Sequence, residues 1–398
     1  MPGMEVYGTE ERKEVNDVLD TGALFRYGHD EIRKGMWKSK EFEAEVANYT
    51  GAKYAHAVSS GSTAVATLLA VAGIGLGDEI IVPPFTFVAP IEAAFLAGAL
   101  PIFAEIDETL CLSPEGIEAA LTPKTKAVLL VHMLGTAADI DGIMEVCAKH
   151  NLILIEDCGQ AMGAFWQGKS VGLFGKVGSF SFDYFKITTC GEGGVIITND
   201  LDIYNKIDQV ADHGHTHEGN NRGMEPHHIM GFNYRISELS AAVGLAQMRK
   251  IGEVKANNQK NKVYLKNRLK EIPQLEFRAK VDIEGDSAAT LNFFLPTADL
   301  AVKVIEQFSA VGISGAAYWF KNQYHFINQW DHIKNLSFPA KLGVHYFGAP
   351  QDYKNLQLPK SQDVMSRLVS LGIRATWNQE ELEILGDKMV NAIKKVIG

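Results

Sequence analysis

A lysine, Lys186, stands five positions after a serine, Ser181, in the run Gly178-Ser-Phe-Ser-Phe-Asp-Tyr-Phe-Lys-Ile-Thr-Thr-Cys-Gly-Glu-Gly-Gly194. Apolar neighbours strip such an amine of solvation, which favours its neutral, nucleophilic form and the Schiff-base chemistry that form performs. The glycines after it let backbone pass close to a ligand. A surface lysine after an edge strand is the plainer alternative, and the rest of the chain must decide between them.

Four other stretches carry chemistry in the same order. Ser59-Ser-Gly-Ser-Thr-Ala-Val65 reads as a turn into a helix whose first N–H groups can hold an anion, although such turns also serve simply as caps. Pro83-Pro-Phe-Thr-Phe-Val88 places Phe87 just past a strand, where an aromatic stacks on a planar ring or, taken alone, fills core. Leu154-Ile-Glu-Asp-Cys-Gly-Gln-Ala161 ends an apolar strand in two acids, and burying an unpaired acid is costly. A carboxylate there, Asp157, is suited to keep a pyridine nitrogen protonated. Gly231-Phe-Asn-Tyr-Arg-Ile-Ser-Glu238 leads into a helix with Asn233 and Arg235 before its start, which an ordinary capping loop would also explain.

Elements that alternate in type must position these groups. Strands are expected at Tyr54–Val58, Glu79–Val82, 100–106, 127–132, 152–155, 180–183 and 195–198, with helices beginning near Ser62, Phe87, Ser113 and Ile140. Thr9 is expected to cap a helix over 9–19, and 41–49 is helical by pattern. The alternation predicts an α/β fold with a mostly parallel sheet and ligands at the carboxyl ends of its strands. A basic segment over 254–272 leads into a second, smaller α/β unit with a strand at 291–295 and helices over 298–311 and 382–396. The expected division is 1–250 and 251–398.

Composition narrows the function further. The 398 residues, 46% hydrophobic, suffice for a large core, and a net charge of −10 argues against a nucleic-acid or anionic-membrane binder. Four scattered cysteines, Cys111, Cys147, Cys158 and Cys190, suggest neither a zinc site nor disulfides. The first residues lack the apolar stretch of a signal peptide, so a cytoplasmic location is the expectation.

Together the stretches SGSTAV, PPFTFVAPIEAAFLAGALPIFAEID, EDCGQAMGAFWQGKSVG, SFSFDYFKITTCGEGG and GFNYRISELSAAVG resemble the sugar-aminotransferase branch of the DegT/StrS (AHBA-synthase-like) family, over residues 8–250. The resemblance implies the pyridoxal 5′-phosphate (PLP) fold-type-I architecture and a homodimer with shared sites. It implies Lys186 as Schiff-base lysine and proton shuttle, Asp157 on the pyridinium nitrogen, Gln160 near the ring's phenolic oxygen and Phe87 on the ring face. The phosphate is expected on the backbone of Ser62 and Thr63 and on the Ser181 hydroxyl, with Asn233 reaching it from the partner subunit. Ser62 replaces a usual threonine. A dehydratase branch carries histidine where Lys186 stands, so the lysine favours transamination from L-glutamate, or L-glutamine, to a keto-sugar.

Several stretches look more specifically like the branch that makes 8-amino-3,8-dideoxy-manno-octulosonate for lipopolysaccharide. These are Met-Pro-Gly at the start, Phe25-Arg-Tyr27, the run 103–116, the histidine-rich loop 212–231, the run 284–288 and Tyr318-Trp319. A free sugar carboxylate calls for a guanidinium, and Arg26 is the first choice, with Arg222 and Arg235 behind it. The alternating His213, His215 and His217 lack convincing acidic or thiol partners for a metal. A 3- or 4-keto nucleotide sugar is the alternative acceptor. A catalytically silent PLP-fold regulator is disfavoured by the retention of Lys186 and Asp157.

Overall fold

The β-branched runs pair into two sheets. The computed structural model describes residues 2–219 and 221–398, leaving aside the Pro2 side chain. Met1 of the opening Met-Pro-Gly and Asn220 of the histidine-rich loop lie outside the described residues.

The first sheet takes β1 (Tyr54–Val58), β2 (Glu79–Val82), β3 (Leu100–Phe103), β4 (Thr125–Val131), β5 (Ile153–Asp157), β8 (Val177–Ser181) and β9 (Gly194–Thr198). Between β5 and β8 lies a two-residue hairpin, β6 (Phe165–Trp166) and β7 (Lys169–Ser170). The order across the sheet is β1-β9-β8-β5-β4-β2-β3, and β9 alone runs against its neighbours. Apolar runs such as Ile80-Ile-Val82 and Ala127-Val-Leu-Leu-Val131 are buried throughout, as expected where helices cover both faces. The period of two divides the faces: Ile196 of β9 enters one core with Val65, Leu68 and Leu69, whereas Val195 and Ile197 enter another with Phe42, Val46 and Leu245.

The second sheet takes β10 (Glu276–Phe277), β11 (Thr290–Phe294), β12 (Ala316–Ala317) and β13 (Leu368–Gly372) in the order β10-β11-β13-β12, all antiparallel. Helices Ile251–Leu269, Ala298–Ala310 and Gln379–Ile397 cover it. The chain does not stay there. Between β12 and β13 it returns to the first sheet, where Phe326, Ile327, Trp330, Ile333, Val344 and Tyr353 join the core beside β2 and β3.

The differences from sequence expectation have local causes. The third strand stops at Phe103 rather than 106 because Glu105 and Ile106 turn to the returning segment, where Ser361 hydrogen-bonds both. The strand expected at 180–183 begins at Val177 and ends at Ser181, because Asp183 opens a turn whose side chain accepts the Phe185 N–H (3.0 Å). Gly8, not Thr9, caps the early helix, its N–H donating to Glu11 Oε2 at 2.7 Å. No helix among the described residues is long and apolar enough to cross a membrane.

Candidate active site

Strands β1, β2, β4, β5 and β8 run the same way, so their carboxyl ends open on one edge of the sheet, where β9 begins. That edge gathers the turns after each strand. Asp157 is the last residue of β5 and is 7% exposed. Its Oδ1 accepts the Gly159 N–H at 2.8 Å. Burial raises its pKa, and the Gly159 hydrogen bond with the charges of Lys186 and His132 does not offset that. Lys186, in the turn after β8, moves the opposite way: burial lowers its pKa against the pull of Asp183 and Asp157. The hairpin and β8 span the gap between these residues, because Asp157 lies in register with Ser179.

The start of helix Gly61–Ala72 presses on the same turn. A Cβ on Gly61 would lie 2.7 Å from Ser181 Cβ and 2.8 Å from its hydroxyl, so only glycine admits the contact. The Ser181 hydroxyl therefore sits at a helix N-terminus, a place that favours an anion. Ser62 is exposed at that helix start. Thr63 departs from expectation, since its N–H is already donated to Ser60 Oγ (3.0 Å) while Ser60 N–H donates to Thr63 Oγ1 (3.0 Å). This reciprocal cap satisfies the Thr63 N–H within the chain, while Ser62 stays exposed at the helix start.

Gln160 Oε1 accepts the Leu134 N–H at 3.1 Å, from a turn in which Leu134 takes a left-handed conformation (φ 55°). Phe87 is not core: it is 39% exposed, with Tyr324 stacked 6.2 Å away and His325 at 5.6 Å.

Behind Asp157 lies a fully buried trio, His132, Glu156 and Cys158, whose ligating atoms stand within 4.8 Å of one another. Their hydrogen bonds are committed to protein. His132 Nδ1 accepts the Ala138 N–H (3.1 Å), so Nε2 carries the proton and donates to Glu156 Oε1 (3.1 Å). Glu156 also accepts from the N–H groups of Gly172 (2.8 Å) and Gly175 (2.5 Å). This is a hydrogen-bonded brace under the site.

The arginines are placed elsewhere. Arg26 is buried with NH1 on Ala57 O (2.6 Å) and NH2 on Glu43 (2.8 Å), so it is spent on an internal ion pair and is not presented to a substrate. Arg222 grips Asp212 with two hydrogen bonds (2.7 and 3.0 Å), and Arg235 bonds the same carboxylate. His217 joins them, its two ring nitrogens on Asp208 (2.6 Å) and Asp212 (2.8 Å) and its ring stacked 3.9 Å from Tyr27. The Phe25-Arg-Tyr27 stretch and the histidine-rich loop are therefore one charge knot. Asn233 is exposed on that loop, and the next residue's carbonyl, on Tyr234, accepts the Ser59 N–H (2.7 Å) at the end of β1.

A profile of the DegT/DnrJ/EryC1/StrS aminotransferase family matches residues 6–390. The chain belongs to this family. GDP-perosamine synthase of Vibrio cholerae is 38% identical over 245 residues, 61% of this chain and 64% of that protein. UDP-N-acetyl-3-dehydro-alpha-D-glucosamine 3-aminotransferase of Acidithiobacillus ferrooxidans is 38% identical over 240 residues, 57% of this chain and 63% of that one. The matched part thus spans a little under two thirds of each relative. The X-ray structure of an aminotransferase from Psychrobacter cryohalolentis superposes with a TM-score of 0.84 at 26% identity, covering 98% of both chains.

The donor set fits this family's cofactor, PLP. Asp157 is a buried carboxylate whose charge is under-compensated, which is what a protonated ring nitrogen would complete. Lys186 is an amine held toward its neutral form, Ser181 and the glycine-only contact at Gly61 offer an anion cradle, and Phe87 leaves a ring face open.

Sequence reasoning missed His132, Tyr324 and His325. His325 has its pKa pushed down to about 4, first by burial and then by the charge of Lys186, so it is neutral at physiological pH. The dense aromatic run from Tyr318 to Trp330 was the available signal. Strand logic gave no reason to bring it back across the first sheet.

Proposed function

We propose that the chain is a PLP-dependent aminotransferase that moves an amino group from L-glutamate to a 3- or 4-keto nucleotide sugar. The observation that carries the reading is the placement of Asp157, the buried end of β5, and Lys186, in the turn after the neighbouring β8, at the carboxyl edge of the sheet in a chain that matches the aminotransferase family over residues 6–390. Burial pushes both toward their neutral forms. The bound cofactor supplies an electron sink for the charge left when a proton departs from the carbon bearing nitrogen. The protein's share follows from its own residues. The Asp157 carboxylate would hold a proton on the cofactor's ring nitrogen. The Lys186 amine, which burial holds toward its neutral form, would take and return the migrating proton. Ser62, Ser181 and, from a partner subunit, Asn233 would hold the phosphate. Phe87 would support the ring face and Gln160 would orient its phenolic oxygen.

The names of the relatives, a GDP-sugar synthase and a UDP-sugar 3-aminotransferase, support a nucleotide-linked acceptor. A second reading, 8-keto-3,8-dideoxy-manno-octulosonate as acceptor in lipopolysaccharide synthesis, is supported by the residues 25–27, 103–116 and 212–231. Arg26 is committed to Glu43, and Arg222 and Arg235 to Asp212, so that sugar's carboxylate would have to compete with Asp212 for the partly exposed Arg222.

The test is spectral. PLP-loaded protein is mixed separately with L-glutamate, GDP-perosamine, a UDP-linked 3-amino sugar and 8-amino-3,8-dideoxy-manno-octulosonate, and the visible band of the lysine-linked cofactor is followed. Loss of the band with glutamate and a nucleotide amino sugar is expected. Loss with the octulosonate alone among the sugars would select the second reading, and an inert band throughout would overturn aminotransfer.

A further inference from the structure

One wall of the site comes from far along the chain. The returning segment lies against the turn after β2: Thr86 N–H donates to His325 O (3.0 Å), Ile327 N–H donates to Pro84 O (2.9 Å), and Phe85 pairs with Phe326. This brings the His325 ring to 5.6 Å from Phe87, with Trp319 edge-on to the same imidazole at 4.7 Å.

The proton on that imidazole can be assigned. Asn322 Oδ1 accepts the Tyr324 N–H (2.9 Å), which identifies it as the oxygen of the amide. His325 Nδ1 lies 2.8 Å from the same oxygen and must donate to it. In the neutral ring Nε2 is then a bare acceptor, and no donor meets it among the described residues. Two more polar groups beside it lack partners: the Trp319 indole N–H and the Thr86 hydroxyl are both buried and unsatisfied among the described residues. Buried polar groups are nearly always paired, by protein, water or a ligand. A ring acceptor beside an exposed aromatic face, with an unpaired indole N–H and an unpaired hydroxyl buried behind it, suits a polyhydroxylated ring. These groups do not suit the two carboxylates of glutamate, which want cations.

We propose that this wall reads the hydroxyls of the acceptor sugar: His325 Nε2 accepts a hydrogen bond from a sugar hydroxyl next to the reacting carbon, and the Trp319 N–H donates to a second sugar oxygen. His325 is thereby a specificity-determining residue that serves the sugar half-reaction alone. The inference rests on the sugar-aminotransferase reading above.

The two half-reactions separate the possibilities. His325→Phe keeps a ring against Phe87 and Trp319 and removes the acceptor, while His325→Gln restores one at similar reach. L-Glutamate probes the first half-reaction; GDP-perosamine and 8-amino-3,8-dideoxy-manno-octulosonate, at subsaturating concentration, probe the sugar half-reaction in reverse. His325→Phe is expected to leave the glutamate rate unchanged and slow the sugar rate about tenfold or more, with His325→Gln recovering most of it. Trp319→Phe is expected to slow the sugar rate by a smaller factor. Equal losses in both half-reactions would make the wall merely structural, and an unaffected sugar rate would remove its reading role; either result overturns the proposal. If the parent protein answers glutamate but neither sugar, the sugar reading itself fails and the inference falls with it.

Discussion

Asp157 and Asp212 are both buried carboxylates within reach of a cation, and they are driven in opposite directions. At Asp157 burial wins over the single Gly159 hydrogen bond and the nearby charge of Lys186, and the pKa rises. At Asp212 burial also pulls upward, but His217, Arg222 and Arg235 all donate to it and hold it well below the usual carboxylate range. Their cations follow suit: Lys186 is pushed down by burial, whereas the two carboxylates gripping His217 overcome its burial and push it up to about 9. A saturated charge cluster is a fastening. An under-compensated one leaves capacity for a ligand or a proton, and the difference separates site from scaffold where residue types alone do not.

Mutation should pull the two regions apart. The largest effect is expected at Lys186: Lys186→Ala should abolish the visible band of the lysine-linked cofactor and cut turnover by ~10²–10⁴-fold, the span of a lost proton-transfer group. An unchanged spectrum would refute its role. Asp157→Asn should keep cofactor bound and lower turnover on the order of 10²-fold, because the neutral amide no longer holds the ring nitrogen's proton; parent-like turnover would sink the electron-sink reading.

Asp212→Asn should behave in the contrary manner. It leaves two guanidinium groups without their carboxylate and His217 with Asp208 alone, so unfolding in urea should show a loss of about 3 kcal/mol while the visible band persists. A variant as stable as the parent would mean that the knot is ornamental.

The smallest effect is one of pH. His217 has a folded pKa raised to about 9 from an unfolded value of about 6.5. Its contribution to stability is therefore full below about pH 6.5 and disappears as pH rises through about 9. Thermal midpoints should decline across that window in the parent and decline less in His217→Asn. Parallel profiles would place the alkaline loss elsewhere.

The sequence disclosed the first region better than the second. The strand-ending acids before Cys158 and the serine–lysine spacing placed Asp157 and Lys186 correctly at the carboxyl edge, because parallel-strand topology follows from alternation of element types. Phe87 was ambiguous, since an aromatic after a strand has the same pattern whether it fills core or faces a cavity; only its neighbours Tyr324 and His325 decide. Arg26 was misread for a related reason. Its sequence surroundings, Phe25 and Tyr27, do not reveal that Glu43 and the Ala57 carbonyl wait across the fold. Pairing between residues distant in sequence is invisible to periodicity, and the charge knot at Asp212 and the return of residues 319–358 are both of that kind.

The excursion between β12 and β13 also bears on how such a protein diversifies. Groups that would manage the proton and the cofactor lie between Ser59 and Lys186. The two groups proposed to read the acceptor, Trp319 and His325, come from one contiguous stretch after Tyr318. Exchanging that stretch between relatives would transplant a preference for one sugar while leaving the reaction machinery in place, a division of inheritance that lets a single chemistry be retargeted piecemeal.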